Sequence, residues 1–181
     1  MQCTIVPVTA DNQTELAALH VSAGQEGFIE TVEECLSEAR SRSVWRPVGI
    51  YADGVPVGFA MYGYWPKGRR AWLDRLLIDG RYQHRGYGRA AVALLLDRIR
   101  REYPKAYLVL AAGGGTTRHL DLLQRVADVC RERDKDTRVG CFVGVYTDAD
   151  VAEGADGHPS SAGHRQLAEQ LTAYLKETLN W

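Results

Sequence analysis

Polar and apolar positions alternate along residues 3–8, which predicts a short strand, with Pro7 suiting it to a sheet edge. Leu16 and Leu19 then fall on one helical face over residues 15–21. Gln25, Glu26 and Gly27 interrupt the pattern. Phe28, Ile29, Val32, Leu36 and Ala39 resume it at helical spacing, with Glu30, Glu33, Glu34 and Glu38 between them. Residues 48–52 and 55–62 are β-rich and flank Asp53-Gly54, a strong hairpin signal. A turn at residues 64–68 leads to a third strand over 72–78. A helix over 90–101 carries Val92, Leu95, Leu96 and Ile99 on one face and stops before Pro104. The continuous apolar run 106–112 reads as a buried strand. Beyond it the pattern predicts a helix over 120–129, a charged turn, a strand over 139–146, and a terminal helix bearing Leu167, Leu171, Tyr174, Leu175 and Leu179.

The segment between the third strand and its following helix is the most informative. It reads Asp79-Gly80-Arg81-Tyr82-Gln83-His84-Arg85-Gly86-Tyr87-Gly88-Arg89. A strand, a glycine-bearing turn and a helix in that order aim backbone N–H groups and a helix dipole at one point, which suits a phosphate. The competing reading is a glycine-containing helix start with no ligand. The chain holds no Gly-x-x-x-x-Gly-Lys-Ser/Thr and no Gly-x-Gly-x-x-Gly, so a P-loop and a dinucleotide fingerprint are excluded.

Bulk properties narrow the classes. A chain of 181 residues forms one domain or two small ones. The net charge of −1 provides no global field for nucleic acid or an anionic membrane. Lys67, Arg69 and Arg70 read as a solvated turn, whereas Arg81, Arg85 and Arg89 flank the glycine loop. Cys3, Cys35, Cys130 and Cys141 are scattered with no Cys-x-x-Cys pair, so they are expected as free thiols in a reducing compartment. No leader and no membrane-length apolar run is read, and a cytoplasmic location is expected.

The spacing Gln83-x-x-Gly86-x-Gly88 resembles the acetyl-CoA pyrophosphate loop of the GNAT N-acetyltransferases, and the element order over residues 1–112 matches their fold. The motifs Gln25-Glu26-Gly27-Phe28-Ile29, Val57-Gly58-Phe59-Ala60-Met61-Tyr62 and Arg75-Leu76-Leu77-Ile78-Asp79, with Tyr82-Gln83, look like the diamine and polyamine acetyltransferases within that family. The resemblance implies an α/β fold with a mixed sheet and helices on both faces. It implies acetyl transfer from acetyl-CoA, as cosubstrate, to a primary amine by direct attack, and a possible homodimer. Backbone groups of Leu76, Leu77 and Ile78 would bind the pantetheine arm, and Gln83, His84, Arg85, Gly86, Tyr87, Gly88 and Arg89 would hold the pyrophosphate. Asp74 would take the amine proton, against a reading as a salt-bridged strand residue. Glu30 and Glu33 would recognise the amine, against a reading as a solvated helix face. No metal site is expected.

Past Ala112 that pattern ends. The family's Asn and its helix tyrosine, which protonates the departing thiolate, are absent, and the helix over 120–129 has no tyrosine. Residues 103–181 instead resemble the last block of SGNH hydrolases of the acetyl-xylan esterase type, through Asp156-Gly157-His158-Pro159. That likeness implies an esterase base at His158 with Asp156 beside it. The Gly-Asp-Ser block of the nucleophile is missing, and Ser160 or Ser161 as a helix cap is the plainer reading of the segment. The chain is therefore expected as a GNAT-like core over 1–112 with a segment over 113–181 completing the same α/β unit. A CoA-binding module without catalysis is the remaining alternative.

Overall fold

The computed structural model describes residues 2–65, 67, 70–112, 120–135, 137–146, 154 and 159–180. The chain is α/β and divides into two compact units, Met1–Pro104 and Lys105–Trp181. Each has its own sheet. Among the described residues the α/β fold expected from sequence is built from a four-stranded antiparallel sheet and a parallel pair, and the apolar run 106–112 falls within the second unit.

In the first unit the strands β1 (Cys3–Pro7), β2 (Trp45–Ala52), β3 (Val55–Trp65) and β4 (Arg70–Ile78) form an antiparallel sheet in that order. Pro7 lies on the edge strand, where a missing N–H breaks no ladder. The hairpin between β2 and β3 turns at Asp53 and Gly54, whose φ values of 50° and 81° lie in the left-handed region, the conformation that lets a two-residue turn match the right-handed twist of its strands.

Helices α1 (Gln13–Ala17) and α2 (Val32–Ser41) cover one face of the sheet. Their Leu16, Val32, Cys35 and Leu36 pack with Phe59, Met61 and Leu77 in one buried cluster. Helix α3 (Tyr87–Glu102) lies on the other face, where Glu102 accepts a 3.1 Å hydrogen bond from the Tyr62 hydroxyl. Residues in β3 alternate between these faces, which explains why nearly the whole strand is buried.

Two expectations on helix limits are corrected. The helix predicted from Phe28 begins only at Val32, because Thr31 and Glu34 form a reciprocal capping box: Glu34 N–H donates to Thr31 Oγ1 at 3.3 Å and Thr31 N–H to Glu34 Oε2 at 2.9 Å. Phe28 instead sits in a short 3₁₀ turn, 84% exposed. The helix predicted to reach Val21 closes at Ala17, with Leu19 N–H turned back to Leu16 O.

In the second unit β5 (Leu108–Ala112) and β6 (Val139–Val143) pair in parallel, Leu108 opposite Val139 and Ala112 opposite Val143. Parallel neighbours require a crossover, which α4 (Leu120–Asp134) supplies. Helix α5 (Ser161–Leu179) is capped by Ser160, whose side chain accepts from Gly163 N–H. Strand β6 stops short of the predicted Tyr146. The amide of Gln170 on α5 holds both the N–H and the C=O of Val145, at 3.0 and 2.7 Å, so the ladder ends there. Asp156 and His158 lie outside the described residues. No helix among the described residues is long and apolar enough to cross a membrane.

Candidate active site

The groove of interest runs along β4, a terminal strand of the first unit's sheet, and is fixed at both ends by features of that strand. Asp79 N–H donates to Val57 O, so by alternation Leu77 turns its backbone toward β3 while Leu76 and Ile78 turn theirs to the outer edge. Leu76 and Ile78 are the residues expected to bind an extended ligand by backbone groups. The Ile78 carbonyl is already taken by Gln83 Nε2 at 3.0 Å.

At the C-terminal end of β4 the glycine loop is held by buried polar groups. Asp79 is completely buried. Its Oδ1 accepts from Arg81 N–H at 2.9 Å and Arg81 Nε at 2.8 Å, and its Oδ2 from Arg81 Nη2 at 3.0 Å and His20 N–H at 3.2 Å. Burial pushes the carboxyl up, but the hydrogen bonds from Arg81 and His20 outweigh it and hold the group at about 2. Gln83 is equally committed. Besides Ile78 O, it donates to Gln25 Oε1 at 2.8 Å and accepts from Ser22 Oγ at 3.2 Å. Its side chain therefore ties the loop to the segment after α1.

Beyond this anchor the loop turns at His84, φ 61°, and Gly86, φ 85°, which caps α3 in a left-handed conformation that suits glycine. Helix geometry leaves the first amides of α3, at Tyr87, Gly88 and Arg89, without an intrahelical acceptor. A side chain at Gly88 would meet Ile78 at an ordinary 3.7 Å, so packing inside the chain does not demand glycine there. Leu76, Ile78, Tyr82, Gln83, Gly86, Tyr87 and Gly88 line a cavity of about 350 Å³. Of the three arginines near the loop, Arg81 is bound to Asp79, Arg85 lies over the Tyr82 ring at 5.7 Å, and Arg89 is exposed.

Toward the N-terminal end of β4 the same groove widens to a cleft of about 430 Å³, with Glu30, Asp74, Arg75, Leu76, Leu77 and Ile78 in its wall. Between Met61 and Tyr62 the register with β4 shifts: Met61 faces Arg75 and Tyr62 faces Leu73, which leaves Asp74 as the extra residue of a β-bulge. The bulge lets two successive side chains reach the cleft. Arg75 is the centre of the charges there. It pairs with the adjacent Asp74, reaches Glu30 with Nε at 2.6 Å and Nη2 at 2.9 Å, and lies 3.6 Å from Glu38. Asp74 and Glu30 thus fall in one cleft but share a guanidinium. Glu33 is exposed on α2 and is not among the residues lining this cleft. Arg75, Asp79 and Gln25 were not among the candidates from sequence. Their contacts span up to 59 residues and leave no local periodic signal.

The family model described as the acetyltransferase (GNAT) family matches residues 11–118. A spermine/spermidine N(1)-acetyltransferase of Bacillus subtilis is 37% identical over 131 residues, which is 69% of this chain and 86% of that protein. The cellulase/esterase CelE of Acetivibrio thermocellus is 36% identical over 93 residues, which is 48% of this chain but only 11% of that protein. Among solved structures, a family two carbohydrate esterase from Clostridium thermocellum aligns with TM-score 0.46 and 32% identity, over 52% of this chain and 30% of that one.

Proposed function

Since this chain belongs to the acetyltransferase (GNAT) family, we propose that its first unit transfers an acetyl group from acetyl-CoA to a primary amine of the polyamine class. The observation that carries the reading is the continuity of the β4 groove. One end offers unpaired helix amides at a glycine turn, and the other gathers carboxylates. The two ends share Gln25, Leu76, Ile78 and Gln83 as lining.

The loop fits a diphosphate on its own geometry. Gly86 adopts φ 85°, and Gly88 has no packing reason to lack a side chain. The amides of Tyr87, Gly88 and Arg89, with exposed Arg85 and Arg89, would hold the phosphates, while His84 shapes the turn. Gln83 acts from behind, by keeping the loop on Ile78 and Gln25. The outward backbone of Leu76 and Ile78, with Leu77 fixing their register, would pair with an amide-bearing arm laid along the strand.

The reaction forms a bond from the amine nitrogen to the acetyl carbonyl carbon and breaks the carbon–sulfur bond. The amine loses a proton and the thiolate gains one. Holding the two reactants in one groove supplies most of the acceleration. Asp74, which lines the cleft and pairs with Arg75, would accept the amine proton. Glu30 would draw the ammonium form into the cleft. Glu33, being exposed on α2, would contribute only to the field around it. An esterase reading through Asp156 and His158 lacks the Gly-Asp-Ser block that supplies such a base with its nucleophile, so the transferase reading is preferred.

Calorimetric titration with acetyl-CoA, followed by thiol release in the presence of spermidine, tests the proposal. Saturable binding and amine-dependent release support it. Absence of binding overturns it.

A further inference from the structure

The two cavities along β4 meet at a short junction, where Gln25, Leu76, Ile78 and Gln83 line both. An acetyl donor held at the glycine loop and an amine held beside Asp74 can touch only there. The carbonyl that changes hands therefore lies at the junction. The polar side chains shared by the two cavities are those of Gln25 and Gln83, and they are not equally free.

The hydrogen bonds fix which end of each amide is which. The Ile78 carbonyl can only accept, so the Gln83 atom 3.0 Å from it is the amide nitrogen. The Gln83 oxygen then accepts from Ser22 Oγ at 3.2 Å. Gln83 Nε2 makes its second bond to Gln25, at 2.8 Å, and the backbone N–H of Ser22 reaches the same Gln25 atom at 3.2 Å. Two donors converge on one atom, so that atom is Oε1 and the other end of the amide is Nε2. Gln25 Nε2 makes no hydrogen bond among the described residues, and it is not one of their buried unpartnered groups. Gln83 uses both donors and its oxygen inside the protein. Gln25 uses only its oxygen, which leaves its N–H donors open to the groove.

The amide is also held still. The Gln25 backbone N–H donates to Ser22 O at 3.0 Å, so backbone and side chain both close on Ser22. That segment is tied in turn to the loop, where Gly80 N–H donates to His20 O at 2.8 Å and a Cβ on Gly80 would come within 2.8 Å of Ser22 Oγ. A dipole fixed in this way needs no reorganisation when charge develops opposite it.

We propose that Gln25 is a catalytic residue, whose Nε2–H donates a hydrogen bond to the thioester carbonyl oxygen as the amine attacks. The inference rests on the acetyltransferase reading. Attack forms the nitrogen–carbon bond and moves the carbonyl π pair onto oxygen. As that pair returns, the carbon–sulfur bond breaks and the thiolate leaves with the bonding electrons. The amine proton goes to Asp74 as above, and Gln25 transfers none. Its donor stabilises the negative charge while it stands on oxygen.

Gln25→Glu tests the donor, because the carboxylate keeps an oxygen for Ser22 and Gln83 but presents an acceptor to the groove. With spermidine as acceptor, kcat is expected to fall about a hundredfold to a thousandfold, the range for one lost oxyanion donor. Free CoA has no acetyl carbonyl, so its calorimetric affinity is expected to stay within about fivefold of the parent, the scale of one neutral hydrogen bond. Infrared difference spectra of bound acetyl-CoA, labelled at the carbonyl carbon and recorded without amine, read the contact directly. The carbonyl band is expected at lower frequency on the parent, and that shift is lost on Gln25→Glu and on Gln25→Leu. An equal band position on parent and variants overturns the proposal. So does a fall in kcat matched by an equal fall in CoA affinity, which would make Gln25 a tie for the loop and nothing more. Failure of the parent to bind acetyl-CoA would overturn the transferase reading and this inference with it, whereas binding with an unmoved band overturns this inference alone.

Discussion

The two ends of β4 solve opposite problems with opposite materials. At the Ile78–Gly88 end, charged and amide side chains are consumed within the protein: Asp79 by Arg81 and His20, and Gln83 by Ile78, Gln25 and Ser22. What remains for a ligand there is chiefly backbone, with exposed Arg85 and Arg89 beside it. At the Asp74–Arg75 end the backbone bulges, and charged side chains are gathered in the cleft. Backbone amides are fixed in place by folding, whereas a cluster of carboxylates around one arginine can exchange that cation for another. The first suits a constant group such as a diphosphate. The second suits a substrate whose length and charge vary.

Variants at each end should fail in different currencies. The largest effect is expected from Gly86→Glu. A side chain at φ 85° costs about 1–2 kcal/mol, and the new carboxylate repels phosphate. Acetyl-CoA affinity should fall at least about a hundredfold, about 2.8 kcal/mol, by calorimetry. Spermidine affinity should stay within about twofold, since Gly86 is not among the residues lining the carboxylate cleft. Loss of both ligands together would break the comparison.

Arg75→Met should act at the other end. It leaves Glu30, Glu38 and Asp74 without their shared counter-ion and should lower stability by about 1–3 kcal/mol in urea unfolding. Spermidine should raise the Tm of this variant more than that of the parent, because its ammonium groups replace the lost guanidinium. Equal Tm shifts would mean that the cluster does not exchange cations.

Asp79→Asn should cost a comparable or somewhat smaller amount, since an amide cannot accept from all the donors around it. The pH dependence carries the sign. The folded-state carboxyl titrates at about 2, below its ordinary value of 3.8. Its contribution is complete above about pH 4 and is lost as pH falls through about 2. Over that window the parent should gain stability with rising pH more steeply than Asp79→Asn. Parallel acid titrations would show that the buried carboxylate does not hold the loop.

The smallest effect is expected from Thr31→Ala, which removes the capping box of α2 and should cost about 1 kcal/mol by thermal melting. It bears on the comparison because α2 carries Glu38. A fall in spermidine affinity alongside the lower Tm would show that the side-chain end depends on where α2 begins.

Much of this architecture was legible along the chain. The Asp53-Gly54 hairpin, the strand–glycine turn–helix segment and the Ser160 cap depend on local dihedral demands, and these appear as residue choice within a few positions. Asp74, Glu30, Gly86 and Gly88 were picked out, and the structure puts Asp74 with Glu30 and Gly86 with Gly88. Glu33 was picked by the same pattern as Glu30, yet only Glu30 reaches the cleft. The capping box at Thr31 starts α2 one residue before Glu33, and that position turns it to solvent. Helical periodicity continued smoothly through Thr31 and hid the break.

By itself, then, the sequence determined the order and type of the elements, the glycine turn ahead of α3 and the family to which the chain belongs, because each is written in short-range residue preference. Tertiary structure alone decided that Arg75 is shared among three carboxylates, that Asp79 is a buried anchor, and that Trp45, Gly63 and Trp72 stand opposite one another on three strands. Those facts follow from sheet register and from a bulge at Asp74. Register is fixed by the summed pairing and packing of whole strands, which no local window of residues contains.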